Sequence, residues 1–221
     1  MVSSDFATKF LKLAKSDKNI VSFIFLLRQK RFMWRLKMDS GNIGFVLLCA
    51  AFVFVMTPGL AMFYGGLVRK KNVVNTMMTS IFIIGIGIVM WVLFGYSLSF
   101  APSGNAFIGD FRWLGLEGVS LTEGYTDDAS IPNMVFSAFQ MMFAVITPAL
   151  ITGAVAGRMK FKSIFVFTIF WSLIVYYPLA HMVWGQGGLL GADGIGALDF
   201  AGGDVVHISS GVSALVLCIL L

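Results

Sequence analysis

The stretch IGFVLLCAAFVFVMTPGLAMFYGGL, residues 43–67, decides the fold class because it runs for 25 residues without a charged side chain. An α-helix rises about 1.5 Å per residue, so roughly 20 apolar residues cross the ~30 Å hydrocarbon core of a bilayer. The stretch is therefore long enough to span a membrane as a helix. A barrel strand would instead alternate apolar and polar residues over about ten positions, and this stretch does not.

Four further apolar blocks follow along the chain, at about 75–100, 131–156, 163–185 and 203–221. The whole chain of 221 residues is 58% hydrophobic and only 12% charged. Soluble domains carry about 25% charged residues, so this composition excludes an ordinary soluble fold. We predict an all-α polytopic transmembrane helical bundle of about five spans.

The short loops between the spans predict the orientation of the bundle, since loops rich in Lys and Arg stay in the cytoplasm. The loops at 68–74 and 157–162 carry six bases: Arg69, Lys70, Lys71, Arg158, Lys160 and Lys162. The connection from about 101 to 130 carries one base, Arg112, and five acids: Asp110, Glu117, Glu123, Asp127 and Asp128. We therefore expect a multi-pass protein of the plasma (inner) membrane, with both basic loops cytoplasmic and the first span beginning outside.

Residues 1–37 conflict with this orientation, because they hold nine of the sixteen Lys and Arg but would lie outside. Residues 20–27, IVSFIFLL, faintly resemble a signal sequence, yet no small-residue cleavage site follows them. An interfacial amphipathic helix is a second interpretation, and a start of translation at Met38 is a third. We therefore divide the chain into a basic N-terminal extension, 1–37, which a start at Met38 would make non-native, and a membrane domain, 38–221.

Polar residues at the start of the fifth span raise the question of function. His207 lies about four residues into that span, and ionisable groups inside a membrane bundle usually face a cavity and mark a pathway. A packing histidine bonded to a neighbouring helix is the alternative. Asp204 fits a first-turn acid at the positive end of a helix. Asp199, in the apolar GALDFAGG, suits either attraction of a cation or acceptance of backbone N–H bonds that hold the loop.

Three aromatic residues form a possible cation site. Phe139 and Phe143 are four residues apart and share one helical face. Trp184 ends the fourth span, where tryptophan is usually an interfacial anchor. From spacing alone, core packing and anchoring are the favoured interpretation. If the three rings converge on one mouth, they would instead bind a cation over their faces.

Other classes of site are not indicated. The two histidines, His181 and His207, have no HExxH or Cys pairing, and no redox, zinc or nucleotide motif is present. We expect no metal, no cofactor and no nucleic-acid partner, and we do not expect an enzyme. Cys49 and Cys218 lie inside spans, where buried reduced cysteine is the default. Gly153 and Gly157 form a GxxxG pair, which suggests close helix packing.

Four motifs together resemble the ammonium transporter/Rh family, in order and over residues from about 38 to the end. They are MTPGLAMFYGGLVRKKNV (56–73), FQMMFAVITPALITGAVAGRMKF (139–161), YYPLAHMVWGQGGLL (176–190) and GALDFAGGDVVHISSG (196–211). The resemblance implies transport of ammonium or ammonia through a hydrophobic pore in each subunit of a homotrimer. It also implies cytoplasmic gating by the nitrogen-regulatory protein PII.

The same resemblance assigns expected roles to individual residues. Phe139, Phe143 and Trp184 would line an outer vestibule that recruits ammonium by cation–π contacts, with Phe143 also part of a phenyl gate. Asp199 would be the acid near the recruitment site. His207 would be the first of a pair of pore histidines, which would accompany ammonia after the cation loses a proton.

The chain departs from the family pattern in length. Family members have eleven spans in two pseudo-symmetric halves of five plus a final helix, whereas five spans are present here. The second pore histidine, the second gate phenylalanine and a vestibule hydroxyl would come from the other half. The sequence thus predicts the N-terminal half of an inverted-repeat fold. Ammonium transport is the first hypothesis, and the alternative is a non-transporting ammonium sensor or an inactive truncated half that needs a partner.

Overall fold

The computed structural model describes residues 38–102, 105–126, 129–192 and 194–221. Within these ranges the chain forms five long helices and no strand. They are α1 (Ser40–Leu67), α2 (Lys70–Phe100), α3 (Asn133–Ala154), α4 (Phe161–Trp184) and α5 (Gly203–Leu220). Each is long and apolar enough to cross a bilayer. The predicted all-α transmembrane bundle of five spans is therefore confirmed.

The predicted and observed helix ends differ most at the start of α2. We expected this span from about residue 75, but it begins at Lys70 with the short 3₁₀ turn Lys70–Asn72. A span assigned by hydropathy ends where charged residues begin. Such an assignment therefore leaves out the first helical turn of α2, which contains Lys70 and Lys71. The basic N-terminal extension, residues 1–37, lies outside the described residues, and its separation from residues 38–221 stays a prediction.

Three of the five helices contain a wider π-helical turn. These turns are Trp91–Gly95 in α2, Ser172–Tyr176 in α4 and Gly203–Ile208 at the start of α5. In α4 the turn precedes Pro178, which therefore lies near the start of the α-helical segment Tyr177–Trp184. Proline lacks a backbone N–H and breaks an ordinary helical ladder, so a π turn before it lets the helix continue.

Helix α3 is the centre of the bundle. It contacts α1, α2 and α5, and 44% of its most apolar window is buried, against 11% for α1. Two glycines permit the close approach of neighbours. A Cβ at Gly87 of α2 would lie 2.9 Å from Val145 of α3, and a Cβ at Gly153 of α3 would overlap the ring of Tyr64 in α1.

An aromatic core holds the connection 101–132 against the ends of α2 and α4. Trp91 packs on Tyr177 with ring centroids 6.0 Å apart, and Tyr96 stacks on Trp113 at 5.4 Å. The Tyr96 hydroxyl also donates a hydrogen bond to Asn133 at the start of α3. These contacts connect α2, α3 and α4 near one end of the bundle.

The charged residues separate to the two ends of the bundle. The six described acids, Asp39, Asp110, Glu117, Glu123, Asp199 and Asp204, lie at one end, which we call the acidic end. There Asp39 caps α1 by accepting the Asn42 backbone N–H at 2.9 Å. Arg112 donates to Asp110 at 2.7 Å and holds the pKa of that carboxyl below its usual range. The basic end carries the loops at 68–74 and 157–162.

Candidate functional site

A cavity of about 760 Å³ opens at the acidic end of the bundle. Helix α3 supplies Phe139, Gln140 and Phe143 to its wall, and α4 supplies Trp184 at its last position. The segment before α5 supplies Asp199. Four of the five predicted site residues therefore meet in one space, although they come from three separate parts of the chain.

The aromatic rings in this cavity form a connected set. Phe139 and Phe143 meet edge to face with centroids 5.1 Å apart, as expected from their spacing of four on α3. Phe143 in turn lies 6.5 Å from Trp184 at an interplanar angle of 66°. The rings do converge on one mouth, and this arrangement offers electron-rich faces to a cation.

Tyr125 completes the outer wall of the cavity. Its ring stacks on Phe136 at 4.9 Å, and its hydroxyl accepts the Gln186 backbone N–H at 3.1 Å. Burial raises the pKa of Tyr125 to about 12. A tyrosine is neutral at physiological pH even at its ordinary pKa of about 10, so Tyr125 adds an aromatic surface to the mouth without a negative charge.

Asp199 has a structural role that is visible in its contacts. Its two carboxylate oxygens accept the backbone N–H groups of Asp204 at 3.3 Å and Val205 at 3.4 Å. These donors belong to the first turn of α5, so the carboxylate satisfies amides that have no partner within the helix. Asp204 itself lies in that first turn, as expected. Attraction of a cation by Asp199 stays a prediction.

His207 lies apart from the other four residues. It falls in the π turn that begins α5, it is exposed, and it is not among the residues that line the cavity. No hydrogen bond to its ring is present within the described part of the chain. The structure thus does not bring His207 to the mouth, and its predicted pore role stays a prediction.

Two polar residues of interest were missed by sequence reasoning. The ring of His181 in α4 is fully buried, with Nδ1 3.1 Å from the Ser99 carbonyl oxygen and Nε2 2.8 Å from that of Asn105. The side-chain oxygen of Gln140, in the cavity wall, is buried and has no hydrogen-bond partner among the described residues. The glutamine was visible in the FQMMF motif, but no spacing indicates the partners of His181.

Metal ligands are not grouped in the described ranges. No set of three or more His, Cys, Asp or Glu side chains there could hold a metal ion. Cys49 and Cys218 are free thiols and lie in α1 and α5. The polar residues in the lining of the cavity are Tyr125, Thr126, Ser130, Gln140 and Asp199, beside its aromatic faces.

Comparison with known proteins identifies the family. The family model described as Ammonium Transporter Family matches residues 44–221. The chain belongs to the ammonium transporter family. This confirms the resemblance carried by the four sequence motifs. The family is one of transporters, in accord with the prediction that the chain is not an enzyme.

Individual relatives and structures agree with this family. An ammonium transporter of Bacillus subtilis is 53% identical over 184 residues, which cover 83% of this chain and 44% of the relative. The structure of Candida albicans Mep2 is similar with a TM-score of 0.74 at 33% identity, over 82% of this chain and 39% of Mep2. A structure named Sensor Amt Protein has a TM-score of 0.69 at 28% identity, over 81% of this chain and 44% of its own. The chain thus spans less than half the length of these relatives.

Proposed function

We propose that this chain forms part of a pore that carries ammonium or ammonia across a membrane, and that the cavity at the acidic end captures the cation. The observation that carries the proposal is the convergence of Phe139, Phe143 and Trp184 on the cavity that Asp199 borders. Membership of the ammonium transporter family supports the choice of substrate.

Capture at this mouth has a physical rationale. The transfer of a bare ammonium ion from water into hydrocarbon costs several kcal/mol of free energy or more. A desolvated cation over aromatic faces regains about 2 kcal/mol or more. The acids of the same end add a field that favours cations over anions. The mouth therefore concentrates ammonium where the rings replace part of its water shell.

Passage beyond the mouth requires that most of the charge be removed. Loss of a proton converts ammonium to ammonia, which crosses an apolar lumen at far lower cost than an ion. We assign His207 to this second stage, as a hydrogen-bond partner and proton acceptor for the guest, because a neutral imidazole offers one donor and one acceptor nitrogen. Its exposure supports the assignment, since transporters built from inverted repeats place their site at the interface between repeats.

The assembly implied by the family extends the proposal. A second repeat would cover the exposed side of α5, and three copies of the complete pore would form a homotrimer. The location would be the plasma (inner) membrane, with the basic loops cytoplasmic and available to a PII-type regulator. The exposed apolar surface of α1, of which Phe45 is 67% and Phe52 64% exposed, supports contact with lipid or with other helices.

A second candidate function is ammonium sensing without transport. The likeness to a structure named Sensor Amt Protein favours it. In this alternative the mouth binds ammonium and the occupied state is reported to a partner, with no net movement across the membrane. Binding and uptake must therefore be measured separately.

Trp184→Leu tests the proposal. In cells that lack other ammonium carriers, we expect the variant to weaken methylammonium capture by about tenfold or more, since a loss of about 1.4 kcal/mol is tenfold. Labelled methylammonium uptake measures transport, and calorimetric titration of the purified chain measures binding.

His207→Leu should abolish charge-coupled uptake while it leaves binding at the mouth unchanged.

Phe170→Leu is the matched control, because Phe170 is a 59% exposed aromatic residue of the same helix as Trp184 and is not among the residues that line the cavity. It should retain wild-type binding and uptake. Equal binding by wild type and Trp184→Leu would refute capture by the aromatic mouth. Wild-type binding without any uptake would instead favour the alternative, a non-transporting sensor or an inactive half that needs a partner.

A further inference from the structure

The described chain enters the bundle at the rim of the cavity. The Asp39 backbone N–H donates to the Ser130 carbonyl oxygen at 3.0 Å, and the side-chain amide of Asn42 donates to the Ser130 hydroxyl at 2.9 Å. Ser130 is itself one of the residues that line the cavity. The point where residues 1–37 join the bundle therefore lies beside the mouth.

The acidic end, where this junction lies, carries an excess of negative charge. Its described residues include six acids and one base, Arg112, which pairs with Asp110 at 2.7 Å. Asp199 is among the residues that line the cavity, whereas no described Lys or Arg is. The mouth therefore attracts positively charged groups, including those of the chain itself.

Residues 1–37 carry the opposite charge. They contain nine Lys and Arg and two acids, Asp5 and Asp17, so their formal net charge is +7. Their longest stretch without a charged residue is nine residues, 19–27, well short of the roughly 20 that cross a bilayer as a helix. We therefore expect the nine bases on the side of the membrane that the acidic end faces, in either orientation of the bundle.

A lysine side chain has the chemistry that the cavity is proposed to bind. Its ε-ammonium group is an alkylammonium ion, as methylammonium is. Phe143 and Trp184 offer aromatic faces to such a cation. The buried side-chain oxygen of Gln140 has no hydrogen-bond partner among the described residues. An ammonium group donates up to three hydrogen bonds and accepts none, so it suits both the rings and this oxygen.

Arg35 and Lys37 are the bases of residues 1–37 nearest to the junction. They precede Asp39 by four and two residues. A chain spans at most about 3.6 Å per residue, so the backbone of Lys37 lies within about 7 Å of the backbone of Asp39. The lysine side chain adds a four-carbon stem to this reach. Its ammonium group can therefore extend past Ser130 to the cavity.

We propose that residues 28–37, RQKRFMWRLK, dock on the acidic end and place the Lys37 ammonium group in the cavity, where it competes with free ammonium. The inference rests on the proposed capture of cations by this cavity. A group joined to its site by a short linker has an effective concentration on the order of millimolar. Ammonium below that range leaves the cavity occupied by the lysine, and a higher concentration displaces it. The segment thus raises the ammonium concentration at which the mouth fills.

A segment of the same chain suits this mouth better than a separate partner does. The covalent chain holds it at the rim, so it loses less translational freedom on docking than a separate basic protein would. An anionic lipid surface has the same sign of charge as the acids of this end and is repelled by them. The five bases within residues 28–37 instead oppose the six described acids. Charge and tether therefore favour the same occupant.

Calorimetric titration of the purified full chain with methylammonium at low ionic strength tests the competition. Arg35→Gln/Lys37→Gln, the neutral double variant, should lower the apparent Kd. A tethered competitor raises that Kd by the factor 1 + C/K, where C is its effective concentration and K its own dissociation constant, so the change is about twofold or more when K does not exceed C. High salt should reduce the difference, because it screens the attraction between the segment and the acids.

Two matched variants separate this contact from charge in general. Lys9→Gln/Lys12→Gln removes the same charge from the far part of residues 1–37 and should keep the wild-type Kd. Arg35→Lys/Lys37→Arg exchanges the two bases without a change in charge, and a guanidinium group also binds over aromatic rings. This variant should keep the wild-type Kd as well.

A disulfide crosslink reports docking without reference to ammonium binding. Cys49 and Cys218 are replaced by alanine, and the substitutions Leu36→Cys and Ala201→Cys are added, because Ala201 belongs to the cavity lining. We expect oxidation to join the two new cysteines rapidly. The substitutions of the neutral double variant should slow the reaction, and saturating methylammonium should slow it too.

Several outcomes would overturn the proposal. Equal Kd values for wild type and the neutral double variant are one, and an equal gain in affinity in Lys9→Gln/Lys12→Gln is another. If no protein binds methylammonium, the proposed capture of cations fails; a slower crosslink in the neutral double variant would then still support docking, and equal rates would exclude it. Equal crosslinking, together with weaker binding of the neutral double variant to phosphatidylglycerol vesicles, would show that the segment serves a lipid surface instead.

Discussion

The ring of His181 ties three parts of the acidic end together. It is fully buried, and its two nitrogens lie within hydrogen-bond distance of carbonyl oxygens from the end of α2 and from the connection that follows. The same histidine lies three residues before Trp184 on α4. The position of the tryptophan in the cavity wall therefore depends on a buried polar contact outside the cavity.

Replacement of His181 should destabilise the bundle. His181→Ala removes the ring and leaves the carbonyl group of Ser99, a buried residue, without this partner. An unsatisfied buried group costs about 1–3 kcal/mol, so we expect a loss of about 1–3 kcal/mol in the free energy of unfolding. Denaturant unfolding of the detergent-solubilised chain, followed by tryptophan fluorescence, measures it.

His207→Ala is the control, since His207 is exposed and an exposed substitution usually changes stability by no more than about 0.5 kcal/mol. A similar change in both variants would show that the His181 contacts contribute nothing to stability. The two variants also distinguish the roles of the histidines. His181 stabilises the fold, whereas His207 is the proposed hydrogen-bond partner of the transported ammonia.

Sequence spacing places Phe139 and Phe143 on one face of α3 and Trp184 at the end of α4. From spacing alone, core packing and anchoring were the favoured interpretation, and only the resemblance to the family assigned the three rings to one site. The partners of His181 lie 82 and 76 residues away in the chain, so no local pattern shows them. The two bonds from Asp199 to the start of α5 could be stated only as an alternative, because a loop carboxylate suits both a cap and a cation site.

The helices illustrate what hydropathy predicts and what it omits. All five spans were predicted, since the run of apolar residues in each one is set by the thickness of the bilayer. The three π turns were not, because the length and hydropathy of a span carry no signal for a widened turn within it. The prediction of close helix packing at the GxxxG pair was correct for one of its two glycines. Gly153 permits close packing, whereas Gly157 lies beyond the end of α3 with a positive φ.

Gly153→Ala tests the close approach of α1 and α3. Alanine is intrinsically better than glycine in a helix by about 1 kcal/mol, but here its Cβ would overlap the ring of Tyr64, whose hydroxyl donates to the Leu150 carbonyl at 3.0 Å. Overpacking costs typically about 1–3 kcal/mol, so we expect a net loss of stability. Thermal unfolding in detergent measures the difference.

Gly85→Ala is the matched control, because a Cβ at this position in α2 meets no atom within 4 Å. It should be neutral or slightly stabilising. If both alanine variants unfold at the wild-type temperature, the two helices are free to move apart, and the contact between Tyr64 and Gly153 does not set their distance.

At the scale of the whole molecule, the charges and the apolar surface describe how the bundle sits in a bilayer. Six described acids mark one end and six bases mark the other. Between them the helices expose many large apolar side chains, among them Leu67, Val74 and Ile174 at 69–72%. In water this surface would aggregate, whereas in a membrane it contacts acyl chains or further helices. The multi-pass arrangement thus follows from composition, and the loop charges predict its direction.

The direction of insertion is testable with single cysteines. Cys49 and Cys218 are first replaced by alanine, and a cysteine is then placed at Glu117 on the acidic end or at Lys160 on the basic end. The excess of bases in the loops at 68–74 and 157–162 predicts that the basic end stays cytoplasmic. In intact cells a membrane-impermeant maleimide should therefore label Glu117→Cys at once and Lys160→Cys only after permeabilisation. A cysteine at Ile164, which is buried in α4, should stay unlabelled under both conditions and serves as the control. Labelling of Lys160→Cys from outside would mean that the nine bases of residues 1–37, and not the loops, set the orientation. The cavity at the acidic end would then face the cytoplasm, and it could not capture external ammonium.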